Sequence, residues 1–438
     1  WLIYALIVLH AMCYQLQVPL EPYLVEHLVG KGPEATTTFG RLQSFHQFAQ
    51  LAGSVVFGGL LDRYGCRFGL FVSYLSCVLS FALLSQSTSI VVLFLSKMPG
   101  LLAHPFLCSQ TALSQLTPEG PARVAAFGRL ITAYTVGGMV GPLLGGALGK
   151  DGDYYLSAKI AAVGSVIGVL GSLALPIKME RQDVRVQDPL VAAADAGAGA
   201  APAPALAPWR ERAGTVVSLV GFLILLKLVV CTASGMTDSA QAVVLKNELE
   251  LSQSEMGVLI SCQFAAFAVI SGVLLGPLTQ LLGGRTQVVV LKCLPVIAVS
   301  YFVQAMLRST SLGLLDGLSP LAQTYVFISV SMFGGMFGFA LGTGITTECT
   351  QMVPKDMKGT FLGMEHSMFS ASRILSPPMG IAILNSTGSS ALYSVTGAIY
   401  ALLFLLWGAL SHRFLRAAPE GSSDEVDAKA VEMKAGAV

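Results

Sequence analysis

Charge is what this chain has least of. Only 12% of its 438 residues are Asp, Glu, Lys or Arg, where a soluble globular protein carries about 25%. With 54% hydrophobic residues, too little polar surface exists to coat a water-soluble body of this size, so the surface must face lipid. A net charge of +1 offers nothing to a nucleic acid. The eight cysteines are scattered, mostly in apolar runs, without a C-x-x-C pair. They read as small buried hydrophobes, which excludes a disulfide framework or a cysteine metal site. No H-E-x-x-H, no G-x-S-x-G elbow and no G-x-x-x-x-G-K-[ST] is present. A zinc hydrolase, a serine hydrolase and an ATP-driven machine are thereby excluded. The expectation is a protein without enzyme activity, cofactor or metal. The chain opens apolar at Trp1, with no initiator Met and no cleavable signal pattern. Trp1 reads as the truncated start of a membrane helix.

What is present is long apolar runs. A bilayer core takes about 20 apolar residues per helix. On that basis twelve spans are predicted, at 1–27, 39–61, 68–87, 90–113, 128–148, 156–177, 214–238, 254–279, 287–307, 318–348, 360–385 and 391–411. Residues 178–213 differ from all of them. They begin charged and become VAAADAGAGAAPAPALAP, a composition that builds no core and reads as a flexible linker. The expected organisation is an N-terminal six-helix bundle (1–177), the linker (178–213), a C-terminal six-helix bundle (214–411) and a polar tail (412–438). Lys and Arg concentrate in the loops on the linker side, which places the linker and both termini in the cytoplasm.

The halves repeat each other. Aligning Gly128 with Gly363 places Arg123 on Lys358, Gly141-Pro142 on Ser376-Pro377, and Gly145 on Gly380. Parallel six-helix repeats are a transporter plan, with the substrate site near the midplane between them.

Two motifs carry a resemblance. Between the second and third spans runs GGLLDRYGCRFGL, with Gly58, Leu60, Asp62, Arg63, Gly65 and Arg67 at the positions of G-x-L-a-D-r-x-G-r-k. Cys66 replaces one basic residue. The fifth span reads GGMVGPLLGG, matching G-x-x-x-G-P-x-x-G-G through Gly137, Gly141, Pro142, Gly145 and Gly146. On these motifs the chain resembles the major facilitator superfamily, its drug:proton antiporter branch, and is similar to the organic cation transporter-like group. The resemblance implies an all-α membrane fold of twelve helices in two pseudo-symmetric bundles. It implies alternating access for a small organic solute, an organic cation or drug-like compound, in exchange for protons. A facilitator, a proton symporter and a non-transporting receptor on the same fold remain open. The expected partners are that solute, protons and the bilayer, with the chain a monomer in the plasma membrane or an organelle membrane.

Asp62 ends the second span, and a carboxylate is favoured by a few tenths to about 1 kcal/mol at the positive end of a neighbouring helix dipole. With Arg63, Arg67 and Arg123 it forms a candidate gate. Glycines of the fifth span permit close backbone approach, and Pro142 bends that helix.

Ionisable residues inside spans are costly and usually face a protein interior or water. The first span spaces His10, Tyr14, Gln17 and Glu21 along one helical face. The second carries Gln43, His46, Gln47 and Gln50, the fourth Lys97, His104 and Thr111, the seventh Lys227, Cys231, Ser234 and Asp238, and the eleventh Glu365, His366 and Arg373. These stripes are expected to line a polar cavity. Glu21 is the leading carboxylate for proton coupling or cation binding. Lys97, Lys227 and Arg373 are candidates to pair with Glu21 or Glu365, or to hold an anion. His46, His104 and His366 are candidate proton relays.

Overall fold

The computed structural model describes residues 1–117, 121–149, 152–175, 209–281, 286–309, 317–353 and 358–414. Among the described residues the regular structure is helical: α1 (Leu2–Gln15), α2 (Glu21–Val29), α3 (Pro33–Leu84), α4 (Ile90–Lys97), α5 (Pro105–Leu116), α6 (Pro121–Leu148), α7 (Leu156–Leu173), α8 (Trp209–Asn247), α9 (Gln253–Val269), α10 (Leu275–Leu281), α11 (Thr286–Leu307), α12 (Pro320–Met352), α13 (Lys358–Thr387) and α14 (Ser389–Phe414). The first seven form the N-terminal half and the rest the C-terminal half. The end of the bundle at which Leu175 and Trp209 lie is called the linker end below, and the opposite one the far end. α8 starts at Trp209, earlier than the expected 214, because the apolar run continues a helix already begun. Most of the expected linker and the tail beyond Phe414 lie outside the described residues.

Among the described residues, eight stretches are apolar and long enough to cross a membrane: Tyr64–Leu84, Ile90–Leu113, Ala126–Leu148, Leu156–Leu173, Gly214–Asn247, Val288–Leu307, Ala322–Thr346 and Ser389–Ala409. The other four expected spans correspond to α1 with α2, the first arm of α3, α9 with α10, and α13. Each of these is broken by a kink or diluted by polar side chains. Large apolar side chains such as Leu75, Val91, Val163, Leu170, Val299 and Leu405 stand exposed, which is the surface a bilayer solvates.

The breaks have identifiable causes. Gly65 separates the two arms of α3 with φ 81° and ψ 171°, a conformation open to glycine and closed to nearly every other residue. Pro19 lies in the interruption between α1 and α2, where an interior proline would cost a helical hydrogen bond. Pro99 opens a 3-10 turn, Met98–Leu101, between α4 and α5. A π-helical turn, Ile270–Leu274, joins α9 to α10.

That 3-10 turn packs directly on the first arm of α3. A Cβ on Gly53 would lie 1.8 Å from the Leu101 carbonyl oxygen. Backbone cannot yield as a side-chain tip can. Gly53→Val is therefore expected to be one of the most damaging single changes, above the 1–3 kcal/mol usual for overpacking. Loss of the monodisperse peak in size-exclusion chromatography would show it, while normal recovery would refute the contact.

The pseudo-symmetry is visible in the packing. Gly145 of α6 and Gly380 of α13 are aligned in the repeat. A Cβ on Gly145 would sit 2.1 Å from the Leu16 carbonyl oxygen, and one on Gly380 2.3 Å from that of Met236. Leu16 and Met236 belong to the first span of their respective halves. The same glycine position thus seats the same kind of helix pair twice.

Among the described residues, the apolar clusters toward the linker end each keep to one half, and at the far end one cluster spans both while another, around Leu249 and Phe327, keeps to the C-terminal half. One cluster, including Leu61, Cys66, Leu130 and Leu175, lies wholly in the N-terminal half. Another, including Val216, Leu294, Ile345 and Trp407, lies wholly in the C-terminal half. A third joins Leu24, Val25 and Phe39 to Met236, Ala240 and Ile381, across both halves.

Candidate functional site: charged side chains inside the bundle

Helix breaks position the first ion pair. Glu21 stands in the first turn of α2 and Lys97 in the last turn of α4. A carboxylate at a helix N-terminus and an ammonium at a helix C-terminus are each favoured by the local dipole. The two side chains meet as a salt bridge, both mostly withdrawn from solvent, at 16% and 13% exposure. Lys97 is seven residues along from Ile90, which puts the pair about 10 Å below the far end.

The second ion pair belongs to the C-terminal half. Lys227 of α8 donates to Glu365 of α13, and Thr346 of α12 donates to the same Glu365 oxygen at 2.6 Å. The three helices frame a narrow recess lined by Leu223, Lys227, Cys231, Cys349, Glu365 and Phe369 among others. Each half thus holds one lysine–glutamate pair between its first span and another span.

Other side chains named from the sequence fall into place differently. Tyr14 and His46 share a hydrogen bond of 3.2 Å with their rings stacked, and His46 Nδ1 is buried without a partner. His10 stands beside Tyr14 and edge-on to Tyr74. The continuous faces expected in the first and fourth spans are interrupted by the proline breaks, which reset the helical register. Gln17 is consequently buried, its side-chain oxygen accepting from Ser157 of α7 at 3.2 Å. His104 caps α5, its Nε2 3.1 Å from the Leu101 carbonyl, and Phe57 lies against its ring. Gln50 donates to the Ala103 carbonyl at 3.5 Å. These last three serve the joint between α3 and the broken fourth span.

Arg373 is exposed, with its guanidinium over the Phe369 ring at 5.6 Å. Among the described residues it makes no ion pair, because Glu21 and Glu365 are taken by the two lysines. The His366 side chain lies outside what is described.

Of the candidate gate, Gly58 lies within α3, Gly65 is the hinge, and Arg67 donates to the Leu173 carbonyl at 2.7 Å. That bond satisfies a carbonyl in the last turn of α7, a usual role for a basic side chain. The side chains of Asp62, Arg63 and Arg123 lie outside the described residues.

The glycine motif of α6 has two working faces. Gly137, Gly141 and Gly145 seat α1, where added Cβ atoms would meet the carbonyl oxygens of Val8, Met12 and Leu16 at 2.3, 2.6 and 2.1 Å. Gly146 instead faces the other half, and its Cβ would lie 2.5 Å from the Gln253 carbonyl oxygen and 2.9 Å from Gly257 Cα. Pro142, within α6, sends its carbonyl toward Gly257, where a Cβ would stand 2.3 Å away.

Sequence reasoning missed the contacts that close the far end. Lys246 of α8 pairs with Glu26 of α2, donates to the Pro22 carbonyl at 3.1 Å and lies over the Tyr23 ring at 4.8 Å. The Tyr23 hydroxyl donates to the Leu251 carbonyl. Asn385 donates to the Pro33 carbonyl at 3.3 Å and to Thr37 at 3.1 Å. All of these join one half to the other. Their only sequence signal was acid and base near the outer ends of two spans, which is also what a plain interfacial charge looks like. Reversing one charge with Glu26→Lys should open this end, read as faster thiol labelling of a cysteine placed at Thr37. Adding Lys246→Glu should restore slow labelling, and a double variant as reactive as the single one would show that the pair does not hold the closure.

Comparison with known proteins gives the family. The model of the Major Facilitator Superfamily matches residues 3–236 and 223–432. The chain is similar to human solute carrier family 67 member A1, 26% identical over 419 residues, covering 93% of this chain and 91% of that protein. It also resembles the class H tetracycline resistance protein of Pasteurella multocida, 30% identical over 167 residues, 38% of this chain and 41% of that protein. A crystal structure of the peptide transporter POT in complex with sulfate superposes with a TM-score of 0.70 at 14% identity, covering 95% of this chain and 94% of that one. Relatives and fold alike are those of transporters rather than enzymes. A multi-pass membrane protein of two six-helix bundles, the chain belongs to the Major Facilitator Superfamily.

Proposed function

We propose that this protein is a secondary-active transporter that carries a small organic solute by alternating access, in exchange for protons. The observation that carries the reading is the asymmetry between the two ends. Among the described residues, bonds and a shared apolar core join the halves at the far end, while the cores toward the linker end divide by half. This is the arrangement of one extreme of a rocking cycle. Two lysine–glutamate pairs inside the bundle supply carboxylates that a proton can release from their lysines. Glu21 is assigned the coupling role, since it sits at a break between two helices, where a change of charge moves helix ends. The tetracycline resistance proteins among the relatives favour exchange over facilitation.

The test is uptake of a panel of small amines, amino acids and carboxylates by proteoliposomes, with and without an imposed pH gradient. The expected result is at least one solute whose uptake depends on the protein and is accelerated by a proton gradient in the opposite direction. Gradient-independent uptake across the panel would instead make this a facilitator.

A further inference from the structure

Among the described residues, Arg373 and Asp238 take no part in the ion pairs. Arg373 of α13 is exposed, with the Phe369 ring beneath it. Asp238 of α8 is also exposed and, among the described residues, makes no hydrogen bond or ion pair. Arg373 lies in the middle of its helix, and Asp238 nine residues before the end of its own. Arg373 acts electrostatically on Tyr14, His46 and Tyr134 of the N-terminal half and on Asp238 and Cys231 of its own. It therefore stands at the junction between the halves. A free charge so placed is expensive, and intramembrane ionisable residues that persist usually serve a ligand or pathway.

The packing of α8 on α13 gives their spacing. A Cβ on Gly235 would stand 2.4 Å from Ser376 Oγ, and one on Gly380 2.3 Å from the Met236 carbonyl oxygen. The helices run in the same direction, so these contacts set Arg373 level with a residue six to nine positions before Asp238. At the helical rise this is about 9–14 Å along the axis. Among the described residues the two make no ion pair with each other. An amine bound at Asp238 would leave the guanidinium unmatched, and a carboxylate bound at Arg373 would leave the aspartate unmatched. A solute with both charges satisfies both sites at once.

Resting on the transport reading and narrowing its cargo, we propose that Arg373 and Asp238 form a two-pole binding site for a small zwitterion. Arg373 takes the carboxylate, and Asp238, nearer the far end, takes the ammonium. A cargo with a positive charge alone is thereby replaced by one with opposite charges at its two ends.

Thermal melting of the purified full chain in lipid nanodiscs tests this without any flux. The probes are glycine, γ-aminobutyrate and ε-aminohexanoate, each compared with the amine and the carboxylate of the same carbon length. One zwitterion is expected to raise the melting temperature by about 2 °C or more at saturating concentration, with both singly charged analogues well below it. Arg373→Gln should abolish that shift and leave the response to the amine. Asp238→Asn should abolish it and leave the response to the carboxylate. Arg373→Lys and Asp238→Glu, which keep the charges, should retain part of it and guard against misfolding. The proposal is overturned if a singly charged analogue matches its zwitterion, if the charge-removing variants respond as the wild type does, or if no zwitterion shifts the melt. Zwitterion binding without liposome uptake would reject transport and leave this site standing. Gradient-driven uptake of a plain amine, without zwitterion binding, would do the reverse.

Discussion

Proteoliposomes carrying Glu21→Gln are expected to lose accumulation driven by a pH gradient, at least tenfold, while still exchanging solute when the gradient is absent. Gln keeps the shape of Glu and can accept a hydrogen bond from Lys97, so α2 and α4 stay tied. What it cannot do is take up and release a proton. Breaking a fully buried pair by removing one partner costs about 3–5 kcal/mol. This pair is partly water-exposed, and Gln still accepts from the lysine, so a loss of about 1–2 kcal/mol is expected. A moderate fall in melting temperature therefore accompanies a complete loss of coupling. Lys97→Met, which strands the carboxylate, should instead damage stability and transport together. Retained gradient-driven accumulation in Glu21→Gln would remove Glu21 from the coupling role and leave Glu365 as the next carboxylate to examine.

The second large effect is expected at Gly146 and Gly257. Here α6 of one half and α9 of the other touch backbone to backbone, with no side chain between them. Close approach of this kind is how membrane helices gain packing energy in the absence of a hydrophobic drive between them. A leucine at either position must push the two helices apart, because a peptide carbonyl at 2.3–2.5 Å from the added Cβ has nowhere to go. Each half keeps its own core, so the protein should still fold. The far end should no longer close, and transport should fall at least tenfold with little loss of recovery in detergent. Gly145→Leu provides the contrast. It strikes the Leu16 carbonyl within one half, so it should impair folding rather than gating. Equal recovery of Gly145→Leu and Gly146→Leu would contradict this division between the two faces of α6.

Much of the architecture could be read from composition and repeat. Low charge and long apolar runs gave membrane helices, and the Gly145–Gly380 alignment anticipated two matching backbone contacts. Helix interruptions were harder to foresee. Pro19 and Pro99 lie in runs that remain apolar on both sides, and membrane helices often absorb a proline without breaking, as α6 does at Pro142 and α11 at Pro295. Because the register resets at those breaks, side chains at helical spacing in the sequence do not share a face. Gln17 turns to α7 for that reason, while Glu21 finds Lys97. Both lysine–glutamate pairs were among the partnerships open from sequence, since few charges exist and each needs an opposite. Asp238 was placed on the stripe of α8 but drew no role, because only three dimensions show that Lys97, Lys227 and Lys246 are paired elsewhere. Residues Glu26 and Lys246 were legible as charges and illegible as a gate, since nothing in the sequence says which span ends meet.

In the proposed cycle the two halves rock against each other, so that one end opens as the other closes. Distances between paired spin labels measure this directly, with Cys231 and Cys262 replaced by Ser to leave only buried native thiols. One pair spans the far end, at Glu34 and Ser386, and the other the linker end, at Leu116 and Met352. Wild-type protein should give a short far-end distance and a long linker-end one. The Gly146→Leu variant should lengthen the first and shorten the second. Two distances that move together, or far-end labels that separate while the linker end stays as it was, would contradict the account.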